Sequence, residues 1–172
     1  SFILIKKALE HFTPYEVGAL RVLIAGIVLL PLAILNIKKF PRKHLKWLII
    51  AAVTGNFIPM FLFPIAETQI SSSIAGIINS MMPIFVIIVG TLFWKFSTSK
   101  RQLIGVAISF FGACILALSG GESGELKLIP IVLLLLATLC YAISTTTVKS
   151  KLHEIPAKIL SAFVFSFVLI LP

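Results

Sequence analysis

Asn56 and Asn79 are the residues of this 172-residue chain best placed to do chemistry: each is a carboxamide inside a long apolar run, shortly ahead of a proline, Pro59 or Pro83. Within a helix, proline removes a backbone donor and crowds the carbonyl four residues back, at a cost of about 3 kcal/mol in a soluble protein. By that rule Pro59 frees the carbonyl of Gly55, Pro64 that of Met60 and Pro83 that of Asn79. At about 1.5 Å of rise per residue, Asn56 lies roughly 15 Å in from one end of its run and Asn79 roughly 12 Å in from an end of its own. Two breaks and two amides at one depth lead to the expectation of a shared polar cavity. Asn56, Asn79 and Ser80 would face it, and the carbonyls freed at Pro59 and Pro83 would be wetted there or bind a guest. The plainer alternative is that proline kinks packed helices and asparagine glues them together.

The remaining polar groups are few. Arg21 lies about one and a half turns past Glu16, and Glu67 closes the run that holds Asn56; a functional group, a snorkelling side chain and a structural ion pair are all open readings for them. Tyr141 and the hydroxyls of Ser144, Thr145, Thr146 and Thr147 add capacity for a small polar or zwitterionic molecule. There is no Asp, and every Glu falls in a connection or near a run's end, so no carboxylate is expected at mid-depth for a proton relay. His11, His44 and His153 fall in connections, and no HExxH, G-x-S-x-G or glycine-rich phosphate loop is present. No catalytic residue, metal site or cofactor is expected, and an enzyme is disfavoured. Cys114 and Cys140 both fall inside apolar runs and read as small packing residues.

The elements that must carry these groups follow from composition. With 59% hydrophobic and 12% charged residues and a mean hydropathy of +1.11, the chain holds more apolar surface than a soluble domain of this length can bury. A lipid bilayer is the required partner. About 20 helical residues span its hydrocarbon core, and runs of that length occupy 14–36, 46–68, 71–94, 102–119 and 127–148. The runs are continuous rather than alternating, which excludes a membrane barrel and predicts an all-α polytopic bundle. No signal peptide is expected. The short apolar stretch before Lys6 and Lys7 and the unflanked "FVFSFVLILP" at the end are expected to be helices cut by the ends of a fragment.

Fifteen Lys and Arg give a net charge of +9, but their distribution follows the connections. Those at 36–46, 95–101 and 149–158 are basic; those between are not, Lys6 and Lys7 being the pair against the trend. The positive-inside rule places the three basic connections in the cytoplasm and accounts for the charge without nucleic acid as a partner. A short repeat adds to this. "SFILIKKALEHFTP" (1–14) is similar to "STTTVKSKLHEIP" (144–156), pairing Ser1 with Ser144, Lys6 with Lys149, Leu9 with Leu152 and Pro14 with Pro156. Five crossings separate the copies, so the second enters the bilayer in the opposite sense, the inverted-repeat architecture of many secondary transporters. Two small-residue faces, Ser72/Gly76/Ser80 and Gly105/Ser109/Ala113, are expected to let helices approach closely.

Three stretches carry a family resemblance: "IKKALEHFTPYEVGALRVLIAG", "SIAGIINSMMPIFVIIVGTLFW" and "QLIGVAISFFGACILAL". Together they resemble the drug/metabolite transporter superfamily, specifically its EamA-like members with two five-helix repeats. One departure is Phe96, which stands where such proteins usually carry a Glu. The resemblance implies a ten-helix protein of the plasma membrane that exports or exchanges small polar metabolites or drugs by alternating access. Residues 1–120 would form the first repeat and 121–172 the start of the second, with the helix bearing Tyr141 completing one wall of the site. The candidate substrate-binding set, reached from the residues above and completed by this analogy at Tyr141, is Arg21, Asn56, Pro59, Asn79, Ser80, Pro83 and Tyr141, and a homo-oligomer is one permitted assembly. The alternative is a non-transporting structural or receptor-like multi-pass protein.

Overall fold

The structure, a computed structural model, describes residues 2–36, 42–119 and 128–170, and among these every regular element is helical. Ser1, used above in the repeat, residues 37–41 of the first basic connection and residues 171–172 of the final apolar stretch lie outside the described residues. α1 (Phe2–Ala8) leads by a short turn into α2 (Pro14–Asn36). The turn is fixed by a capping box: the Thr13 amide and hydroxyl donate to Glu16 Oε2 at 2.7 and 2.9 Å, with Pro14 as first helical residue. A second such box, Ser99 with Gln102, opens α7 (Lys100–Ser119).

Between them run two bent rods. α3 (Leu45–Ala52), a π-helical turn (Val53–Phe57) and α4 (Ile58–Glu67) are continuous from Leu45 to Glu67. α5 (Ser72–Ser80) and α6 (Met82–Trp94) follow, divided at Met81. α8 (Leu128–Lys151) and α9 (Ala157–Ile170) complete the chain. Four helical stretches, Pro14–Asn36, Leu45–Glu67, Ser72–Trp94 and Leu128–Lys151, are each long and apolar enough to cross a membrane. They match the expected spans to within three residues at each end, and α7 occupies the remaining one.

α8 is the central post, packed by α3, the π turn, α4, α5 and α6, while α2 lies along α9 and against α4, and α7 rests on α5. One core gathers Val22, Leu48, Met60, Leu152 and Val168; another gathers Phe63, Ile78, Leu134 and Ala137. The outward faces are apolar too: Leu23, Ile27 and Ile34 on α2 and Ile104, Ile108 and Phe111 on α7 are exposed. That surface belongs against lipid tails, and the protein is an all-α integral membrane bundle.

The three basic connections meet at one end. Lys151 Nζ sits 5.5 Å from the Trp47 ring and 5.4 Å from the Trp94 ring, which themselves pack edge to face at 5.6 Å. Each such cation–ring contact contributes about 0.5–1 kcal/mol at an exposed site. Lys149 Nζ lies 4.8 Å from the ring of Phe96, so the aromatic face receives a cation at the position where the resemblance leads one to expect a carboxylate. Lys6 marks the opposite end, where its Nζ donates to Ile70 O at 3.1 Å.

Close helix approach occurs at other glycines than the expected ones. A Cβ at Gly76, Gly105 or Gly112 would meet nothing within 4 Å, so those faces are not the tight seams of the bundle. The seams are at Gly18, whose Cβ would come to 2.8 Å of Met60 O, and at Gly55, whose Cβ would collide with the Ser144 side chain. Small-residue spacing marks a face that can approach, but not whether the fold presents a partner to it.

Candidate functional site

Asn56 is the middle residue of the Leu45–Glu67 rod and sits inside the π turn. The turn answers the problem posed by Pro59. Ile58 N–H reaches Val53 O, five residues back rather than four, so the ladder resets before the proline instead of breaking at it. Widening the helix here is supported from the next one: Ser144 Oγ on α8 donates to Ala51 O at 2.9 Å, and Gly55 leaves room for it. Thr54 Oγ1 bonds Ile50 O at 2.7 Å. These hydroxyls meet the carbonyls of Ala51 and Ile50, not that of Gly55, the one that Pro59 deprives of its regular helical donor.

The hydroxyl cluster on α8 is likewise turned to structural use. Thr146 Oγ1 donates to Ala142 O at 2.8 Å and Thr147 Oγ1 to Ile143 O at 2.7 Å, both residues being buried. With Ser144 committed to Ala51, three of the four hydroxyls already have backbone acceptors.

Beside the π turn lies a cavity of about 720 Å³, walled by α2, the π turn with the start of α4, α8 and α9. Its polar groups are Arg21, Asn56 and Tyr141; Val22, Ala25, Leu29, Met60 and Phe165 are among its apolar lining. Gly18 seats α2 directly on Met60, which brings Arg21, one turn further along the same face, to the cavity rim. Arg21 and Tyr141 line the same space, from α2 and α8. Tyr141 is held from behind by Phe63, ring centroids 5.8 Å apart. A cation, a carboxamide and a phenol around apolar walls can grip the polar head of a small molecule and shelter its apolar part.

Of the seven expected residues, the structure brings Arg21, Asn56 and Tyr141 to one cavity. Pro59 is buried in the first turn of α4 beside Met60. Asn79 and Ser80 end α5 and do not line this cavity; Ser80 Oγ donates to Ile77 O at 2.6 Å. Pro83 lines a separate hollow of about 270 Å³ with Val86, Gln102 and Val106, between α6 and α7. Equal depth did not mean a common cavity: Asn79 and Ser80 lie at the C-terminal end of α5, and Pro83, past the break at Met81, opens on the hollow shared with α7. Among the described residues, no group of three or more His, Cys, Asp or Glu could hold a metal ion.

Comparison with known proteins bears on these features. Residues 1–118 match the EamA-like transporter family, and the chain belongs to it. It is 27% identical over 154 residues to an uncharacterized transporter of Archaeoglobus fulgidus, covering 90% of this chain and 54% of that protein. It is 30% identical over 129 residues to the uncharacterized inner membrane transporter YedA of Escherichia coli (73% and 41%). A match to the uncharacterized transporter YetK of Bacillus subtilis has 27% identity and covers the whole chain and 54% of that protein. The chain therefore spans about half the length of these relatives, or less. No solved structure matches it significantly.

Proposed function

We propose that the full-length protein is a secondary transporter that exports or exchanges small polar metabolites or drugs by alternating access, and that the Arg21–Asn56–Tyr141 cavity is its half of the substrate site. The observation that carries this reading is the meeting of those three polar groups beside a π turn at the midpoint of a membrane-spanning rod. A mid-bilayer cavity at irregular backbone is where carriers hold their guests. Pro59 contributes by fixing the turn, and Asn79, Ser80 and Pro83 contribute from around the break at Met81, outside this cavity.

The reading includes a first repeat over 1–120 and a second beginning at 121. It is supported by two similar corners, α1 into α2 and α8 into α9, and by α2 lying along α9. It also includes a plasma-membrane location with the basic end cytoplasmic, supported by the shared position of the three basic connections.

The test begins with metabolite profiles of medium from cells with and without the gene. Compounds that differ are then offered to the full-length protein in liposomes. Saturable flux supports a carrier; no protein-dependent flux of any of them favours the structural or receptor-like reading.

A further inference from the structure

Glu67 is the last residue of α4, 1% exposed, and both carboxylate oxygens are buried with no hydrogen-bond partner among the described residues. Its neighbours Phe63, Ala66 and Ile70 are core residues. No ion pair to Glu67 is formed among the described residues either. The ammonium that could reach it, Lys6 Nζ on α1, donates to Ile70 O instead.

An ionised carboxylate in such surroundings is costly, and nature removes the cost by hydrogen bonds, by a cation in contact or by a proton. Among the described residues the first two are missing. A purely structural ion pair would leave the carboxylate in contact with Lys6 or Arg21. The charged and titratable groups on the elements packed against α4 are Lys6 and Lys7 on α1, Tyr15, Glu16 and Arg21 on α2, and Cys140, Tyr141, Lys149 and Lys151 on α8; α5 has none. Of these side chains, Lys6 and Arg21 are the ones whose charge acts on Glu67. Arg21 is also the cation of the cavity, so one guanidinium serves both places.

We propose that Glu67 is the proton-binding carboxylate of this protein, loaded from water on one side of the membrane and emptied to water on the other as the bundle alternates. The proposal rests on the transport reading above and adds its driving ion. In each cycle one proton bonds to a Glu67 oxygen and later leaves it, so one positive charge crosses. Arg21 lines the cavity and lies on α2, the helix packed against α4, so the proposal carries a corollary: a guest at the cavity and a proton on Glu67 change each other's affinity by the same factor.

The test is an infrared pH titration of the full-length protein in liposomes, with glutamate carbon-13-labelled at the side-chain carboxyl. The expected result is a labelled carboxylic-acid carbonyl band that exchanges slowly in heavy water, disappears as pH rises and is missing in Glu67→Gln. In Arg21→Gln the pH of its disappearance moves. A wild type without such a band at any pH overturns the proposal, whether or not the Gln variant folds. A band that survives Glu67→Gln in folded protein overturns it as well, and an unmoved midpoint in Arg21→Gln overturns the link to the cavity. None of these readings depends on flux. A titrating band without transport therefore sinks the transport reading alone, and saturable transport without the band sinks this inference alone.

Discussion

At the scale of single residues, Asn56 and Lys95 make opposite demands on the fold. Asn56 is a polar side chain tolerated at mid-rod because a cavity receives it. Replacing it by Leu removes one hydrogen bond to a neutral guest, which is about 0.5–1.5 kcal/mol and hence a few-fold to roughly tenfold in apparent affinity. Membrane insertion should be unaffected, since Leu suits lipid at least as well. Saturation curves for Asn56→Leu, normalised to protein in the liposome, read this directly; a loss of folded protein in step with activity would point to helix glue instead. Lys95 is the only non-glycine residue with positive φ among the described residues (φ 51°, ψ 36°), closing α6 so that the Phe96 amide can bond Gly90 O at 3.0 Å. A left-handed cap is the natural place for glycine. Lys95→Gly should therefore raise stability by about 1 kcal/mol, visible as a higher thermal unfolding midpoint in detergent.

Among the helices, the decisive device is the π turn and the glycine that admits α8 to it. Gly55→Ala puts a methyl group into the Ser144 side chain, and overpacking of this kind costs about 1–3 kcal/mol. The same loss should be partly recovered in Gly55→Ala with Ser144→Gly, because the second change removes the atoms in conflict. Thermal unfolding of the two variants checks both halves of the statement; equal destabilisation would show that the seam lies elsewhere. Here too is the boundary of what the amino-acid pattern discloses. Run length and charge placed every span, because hydrocarbon thickness imposes one length on any helix that crosses it. They also flagged Asn56, Arg21 and Tyr141, since polar residues are rare in such runs. They could not say that Asn79 stands outside the cavity that Asn56 lines, because azimuth depends on how each rod is turned about its own axis where it packs. Nor did they say that Glu67 is enclosed: a carboxylate near a run's end looks like a residue reaching water until α1 is seen to pack against α4.

For the whole molecule, the arrangement of connections makes a topological prediction. The three basic connections share one end and the Thr68–Ser71 connection belongs to the other. A cysteine at Ser97, which is exposed, should react with an impermeant thiol reagent only from the cytoplasmic side, and one at exposed Gln69 only from outside. Gln69 is the better probe of that connection, since Ser71 is buried and accepts the Ile74 amide as the cap of α5. Labelling of both positions from one side would remove the odd count of crossings, and the inverted-repeat argument with it.

The clamp of Trp47, Trp94 and Lys151 fixes one end of the Leu45–Glu67 rod to its neighbours, while the rod's only irregular turn lies at its centre. Mechanically this is a lever with a pinned base and an irregular elbow. Beyond the elbow, α4 is about 15 Å long, so a flexure of only about 15° there would swing the far tip by about 4 Å. That arc exceeds the reach of a hydrogen bond, and the residue riding on the tip is Glu67. On the transport reading proposed above, such a flexure would gear the cavity at the elbow to the carboxylate at the tip, a small angle at one becoming a large excursion at the other.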